Sequence, residues 1–192
     1  MARDFRSARF WAADLVESAL YPGARAVDAT MGNGKDTCRL CRRVGPTGHV
    51  YGFDIQPRAV ETTRVLLEAE GLQDRATLFC KGHQFMADFV PEKVDVVVFN
   101  LGWLPGAEHA ITTMAQTTLR AADAALSILK PNGLLTLCVY PGHDEGQLEL
   151  DALLKWGAAL DHGHCDVIHE HYLNQPNQPP QLIAVKLKEV CG

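Results

Sequence analysis

The chain has 192 residues, 47% of them hydrophobic and 21% charged, with a net charge of −5. That length suits one well-buried core, and the balance excludes a disordered or fibrous chain. No run approaches the roughly 18 apolar residues of a membrane-spanning helix, the opening MARDFRSARF lacks the apolar stretch of a secretory signal, and the negative charge argues against a broad nucleic-acid face. The expectation is a single domain over residues 1–192, cytoplasmic and not membrane-bound. Cysteines 38, 41, 80, 138, 165 and 191 lie mostly in apolar segments, where a reduced thiol acts as a small hydrophobe. Basic clusters at Arg3, Arg6 and Arg9, and at Lys35, Arg39, Arg42 and Arg43, leave room for a confined RNA footprint.

In chain order, Phe10, Ala13, Leu15, Val16 and Leu20 recur at near-helical spacing and stop at Pro22-Gly23. This predicts an N-terminal helix within residues 1–22, packed on a sheet face. Strand-like runs then alternate with helical stretches: RAVDA and KDTCRLCRRV; HVYGFD and PRAVETTRVLLEAEG; ATLFC and a short connection; VDVVVFN and a helix through Ile128. GLLTLCVY, a helix from about Glu145 to Leu160, HCDVIHEHYL, a polar loop and QLIAVKLKE complete the series. The loop before the last run holds Pro176, Pro179 and Pro180 and cannot be a helical crossover, so the last two strands are expected to pair antiparallel. The fold class is therefore α/β, a Rossmann-like sheet of about seven strands, mostly parallel with one antiparallel strand, and helices on both faces.

The densest chemical signal is AVDATMGNGKDT, an apolar strand ending in Asp28 that turns through Gly32-Asn33-Gly34 into a helix. Glycines there let backbone approach a ligand closely. The next strand ends in Asp54, about twenty residues on, where a carboxylate can accept from both hydroxyls of a ribose. A dinucleotide fingerprint wants a third small residue where Thr37 stands, and Asp36 would repel a pyrophosphate. A sulfonium with an ammonium group tolerates Asp36, and Asp28 favours it too, which makes S-adenosylmethionine the expected cofactor over NAD. After the third strand, Gly82 and His83 stand where an adenine ring lies in this topology.

The fourth strand ends in Asn100-Leu101-Gly102-Trp103-Leu104-Pro105. Its Asn-x-x-aromatic arrangement resembles the Asn-Pro-Pro-Tyr motif of amine methyltransferases, in which an amide oxygen holds an acceptor N–H and a ring packs on a flat base. Asn100 and Trp103 are the expected positioning residues. Glu108 and His109 are nearby candidates for taking the amine's proton.

DATMGNGKDT, FDIQ, FNLGWLPG with ITT beyond it, VYPGHDEG and NQPNQPP together resemble the putative rRNA methylase family of bacteria, also called YtqB or MnmM. The likeness runs from Asp28 to about Lys186. It implies a class I methyltransferase that methylates the aminomethyl nitrogen of 5-aminomethyl-(2-thio)uridine at the wobble position of tRNA. Carried over by motif, Asn33, Asp36, Thr37, Asp54, Gln56 and His83 are implied cofactor contacts, with Asn100 and Gly102 at the junction with the acceptor pocket. The sequence departs from the family pattern at Trp103, Ala107-Glu108-His109 and Pro141. An anticodon-loop base can be splayed out onto Trp103. In the loop Asn174-Gln175-Pro176-Asn177, the amides of Asn174, Gln175 and Asn177 either read the base or satisfy a tight turn. A homodimer would extend the basic footprint.

Cys38 and Cys41 have CxxC spacing without a second pair, and His162, His164, His169 and His171 form two HxH pairs with no completing ligand. Metal-free chemistry is expected. The competing readings are methylation of ribosomal RNA or a small amine, a NAD-dependent oxidoreductase, and an RNA-binding module without catalysis.

Overall fold

The computed structural model describes residues 6–102 and 113–189. Helix α1 (Ala8–Ala19) leads into β1 (Arg25–Asp28), α2 (Lys35–Val44), β2 (His49–Asp54), α3 (Pro57–Ala69), β3 (Ala76–Cys80) and a short α4 (Met86–Phe89). Then come β4 (Val94–Asn100), α5 (Ala115–Ile128), β5 (Leu129–Val139), α6 (Asp144–Ala159), β6 (Cys165–Glu170) and β7 (Gln181–Leu187). The strands form one sheet in the order β3-β2-β1-β4-β5-β7-β6. Neighbours from β3 through β5 are parallel, and β7 runs antiparallel to both β5 and β6. This is the Rossmann-like class I methyltransferase arrangement.

Both sheet faces are covered, which explains the near-continuous apolar strands. In β4, Val96 and Val98 point to a layer holding Ala8, Ala12 and Val16 of α1, Leu40 of α2 and Leu67 of α3. Val97 and Phe99 alternate to the layer of Met86, Ala121, Ala125 and Leu153 from α4, α5 and α6. The buried residues of α1 lie four apart, the stripe expected of a helix laid on a sheet. Proline opens α3 at its first turn, where a missing N–H costs nothing. Asp36 in the first turn of α2 and Arg42 and Arg43 in the last both oppose the helix dipole. Those two arginines pair with Glu70 and Glu17, at 2.6 and 3.2 Å, so part of the basic cluster serves packing between helices.

Some boundaries differ from the sequence reading, among them β6, which ends at Glu170, three residues short of the run HCDVIHEHYL. The short connection after β3 contains a 3-10 turn, His83–Phe85, and α4, too brief to show a period. Strand β5 begins four residues earlier than GLLTLCVY suggested; its register against β4 shifts between Val94 and Val96, and Asn132 turns through φ 61°.

Candidate active site

The order of parallel strands reverses between β1 and β4, and ligands of open α/β sheets bind beyond the carboxyl ends at such a point. A cavity of about 760 Å³ opens there. Its floor is the loop after β1. Met31 N–H donates to Phe53 O at 3.1 Å, Thr63 Oγ1 of α3 donates to Gly32 O at 3.1 Å, and Gly32 N–H donates to Asp54 Oδ2 at 3.1 Å. Gly32 and Gly34 hold φ of 51° and 79°. A methyl group on Gly34 would lie 2.9 Å from Thr63 Cα, so loop and α3 approach as closely as glycine allows. Gly34→Ala is therefore expected to cost about 1–3 kcal/mol of stability from backbone strain and contact together, read from the urea midpoint; an unchanged midpoint would show that α3 yields freely.

Asp54 Oδ1 also accepts from Gln56 N–H at 2.9 Å. Burial raises its pKa, and the backbone N–H groups of Gln56, Gly32 and Ile55 oppose that rise. His83 lies edge-on to Phe99, with ring centroids 5.5 Å apart, and bonds the Ala29 backbone. Burial pushes its pKa down to about 4, so its ring is neutral at pH 7.

Asp28 has no exposed surface and does not line the cavity. It accepts from Thr37 Oγ1 at 2.7 Å beneath the loop, and burial, with Asp36 nearby, pushes its pKa up to about 7. Thr37 and Gly34 are likewise absent from the lining: Thr37 is turned inward to Asp28, and Gly34 packs on α3. Between the ordinary carboxyl pKa and about 7, the folded protein holds a proton on Asp28 that the unfolded chain has released. Stability from this group is full at low pH and is lost as pH rises through about 7. His83 titrates in the opposite sense over an overlapping range. The stability of the wild type minus that of Asp28→Asn should therefore fall between about pH 4 and 7, as denaturant titrations at each pH would measure; a flat difference would place Asp28 ionised throughout.

At the other end, Asn100 N–H donates to Thr30 Oγ1 at 2.7 Å, and Asn100 Nδ2 donates to Asp36 Oδ2 at 2.9 Å. A carboxylate only accepts, so Asp36 fixes which way the amide faces and leaves Asn100 Oδ1 as the acceptor. Beyond it, Gly102 (φ 125°) donates its N–H to Thr113 Oγ1 at 2.9 Å. Thr113 donates to Glu149 Oε2 at 2.8 Å, and Thr118 to Oε1 of the same carboxylate at 2.5 Å. Burial raises the pKa of Glu149, while these hydroxyls oppose the rise.

The cavity thus gathers Gly32, Asn33, Asp36, Asp54, Gln56, Gly82, His83, Asn100 and Gly102. Trp103, Glu108 and His109 lie outside the described residues. Asn174, Gln175 and Asn177 do not line the cavity; from their loop Gln178 and Pro180 do, after Asn177 and Gln178 turn the chain at φ 67° and 44°. Other residues line the cavity that the motifs did not point to. Tyr140 and His143 sat unassigned within VYPGHDEG, and Arg9 was taken only as part of a basic cluster. Glu149 also went unassigned; the signal that could have found it is an acid on the buried stripe of α6, with Gly146, Leu150, Leu153 and Gly157. Cys38 and Cys41 are buried thiols raised in pKa by that burial, Cys41 to about 12. Among the described residues no three His, Cys, Asp or Glu side chains gather as a metal site would require.

Residues 50–186 match the family described as Putative rRNA methylase. The chain belongs to that family. A relative from Arabidopsis thaliana, tRNA (mnm(5)s(2)U34)-methyltransferase, chloroplastic, is 40% identical over 180 residues, which cover 88% of this chain and 66% of the plant protein. The chain thus spans just under two thirds of that relative. A solved structure from Clostridium thermocellum, a putative rRNA-methylase, superposes with a TM-score of 0.94 at 35% identity, covering 96% of this chain and all of that one. Another, a putative methyltransferase from Streptococcus mutans in complex with SAH, gives 0.87 at 34% identity, covering 96% and 99%. No helix among the described residues is long and apolar enough to cross a membrane.

Proposed function

We propose that this chain, acting as one domain, is an S-adenosylmethionine-dependent N-methyltransferase of tRNA, converting 5-aminomethyl-(2-thio)uridine at wobble position 34 to its methylaminomethyl form. The observation that carries this is one cavity running from Asp54, Gly32 and His83 to Asn100, whose amide oxygen is turned to accept by Asp36. The activity named for the Arabidopsis relative and the SAH held by the Streptococcus mutans protein support the same reading.

The residues present fit such a cofactor. Asp54 ends β2 where vicinal hydroxyls can be met, the neutral His83 can border a flat heterocycle without repelling a sulfonium, and Gly32 lets backbone come close. When bound, the cofactor supplies an electrophilic methyl group. Asn100 Oδ1 then has the work of holding an acceptor N–H so that the nitrogen lone pair faces forward, and alignment supplies much of the rate. Thr113 and Gly102 border this end, fixed from behind by Glu149. The acceptor loses one proton overall, and solvent can take it. We place the tRNA contact at the anticodon loop, whose bases are reachable without opening a duplex, the enzyme in the cytoplasm, and a homodimer as the form that widens its basic surface.

The test is nucleoside mass spectrometry of tRNA bearing 5-aminomethyl-2-thiouridine after incubation with the protein and S-adenosylmethionine. A gain of one methyl on that nucleoside is expected. No gain, with cofactor binding demonstrated, would move the acceptor to ribosomal RNA or a small amine.

A further inference from the structure

Three cations line the cavity among the described residues: Arg9, Lys35 and Lys81. Lys81 stands at the His83 end, its ammonium 5.9 Å from the centre of the Phe89 ring. Arg9 stands at the Asn100 end. It follows Ala8, the wholly buried first residue of α1, so the helix fixes the root of the side chain at the cavity wall. Its guanidinium lies 3.8 Å from Asp36 Oδ2, longer than a hydrogen bond, and the side chain remains 56% exposed.

Asp36 is already well supplied. It accepts from Asn100 Nδ2 at 2.9 Å, and its other oxygen lies 3.4 Å from Arg39. Arg9 is thus the loosest member of a cluster in which two guanidiniums meet one carboxylate, leaving one positive charge in excess. Arg9, Asp36, Arg39 and Asn100 also line an adjoining pocket of about 250 Å³, so this charge sits at a junction of two hollows, not on a flat surface. An excess guanidinium charge beside a carboxylate complements a zwitterion, whose carboxylate takes the fork of Arg9 and whose ammonium faces Asp36.

Resting on the cofactor reading above, we propose that Arg9 binds the α-carboxylate of the methionine portion of S-adenosylmethionine, with Asp36 facing the α-ammonium. The N-terminal helix is then part of the cofactor site as well as a cover for the sheet. Selectivity for a donor that retains its amino-acid carboxylate resides in a single side chain of α1.

The experiment measures binding of S-adenosylmethionine and of decarboxylated S-adenosylmethionine, which keeps the ammonium and lacks the carboxylate, by calorimetry on the full chain. The wild type should prefer the carboxylated form by about ten- to a hundredfold, the range of a charge-assisted pair. Arg9→Gln should bring the two affinities within about threefold by weakening only the carboxylated ligand, and Arg9→Lys should restore part of the preference. A merely structural Arg9 would move both ligands together. A preference unchanged in Arg9→Gln overturns the inference, as does its loss in Lys35→Gln instead. An unchanged preference with weakened tRNA binding would assign Arg9 to a phosphate. If the wild type binds neither ligand, the cofactor reading itself falls, an outcome distinct from each of these.

Discussion

Replacing Asn100 by Ala should leave the affinity for S-adenosylmethionine within about threefold while lowering single-turnover methylation roughly 10²- to 10³-fold, the scale of a lost positioning contact. The asymmetry follows from geometry. The backbone N–H of Asn100 bonds Thr30, which survives the substitution, so the end of β4 keeps its course. The side chain contributes two things: a donor to Asp36 and the acceptor oxygen opposite it. Losing the donor leaves Asp36 with Arg39 and Arg9, enough to keep its charge compensated. Losing the acceptor frees the substrate amine to rotate, a defect in turnover. Rapid-quench kinetics with mass-spectrometric detection, alongside calorimetry, separates the two. A parallel fall in affinity and rate would mean that Asn100 only shapes the cofactor pocket.

Asp54→Ala should act on the other axis, weakening cofactor binding by about 1–3 kcal/mol, roughly 5- to 150-fold, with a smaller effect on the rate at saturation. Two losses combine. The carboxylate no longer meets the ribose, and the N–H groups of Gly32 and Gln56 lose the oxygens that hold the loop in register with β2. Asp54→Asn keeps one acceptor oxygen for the loop, so it should fall between wild type and Ala. Calorimetry with S-adenosylhomocysteine on folded protein checks the series; unchanged affinity in Asp54→Ala would move the ribose elsewhere.

Much of this architecture was legible because both sheet faces are covered. A strand such as VDVVVFN, apolar on both sides and closed by a polar residue, announces its limits, and β2, β3, β4 and α2 fall where the runs of residues put them. The cofactor end was legible for a related reason: its parts hang on two strand ends and a glycine turn, all local in sequence. What escaped was non-local. Asp28 carries the right residue at the right strand end, yet it is turned under the loop to Thr37, and only the packing of α2 against β1 reveals that. Glu149 acts from α6 through Thr113 on Gly102, a chain of bonds between residues 36 and 11 positions apart. In the loop before β7, Asn177 and Gln178 turn the chain at positive φ, and Gln178 and Pro180, not the amides of Asn174, Gln175 and Asn177, reach the cavity.

The placement of β7 bears on how the molecule is made. The last described strand in the chain lies inside the sheet, between β5 and β6. During synthesis, β1 to β5 can pair as they emerge, but β5 then presents open backbone and half-covered Leu135 and Leu137 until residues 181–187 leave the ribosome. Strand β6 meanwhile has no partner, because among the described residues its ladder runs to β7 alone. Interrupting translation within the polar loop would therefore release a chain in which β5 and β6 both present open edges, suited to pairing with its own copies. Closure of the sheet waits on the seven residues of β7.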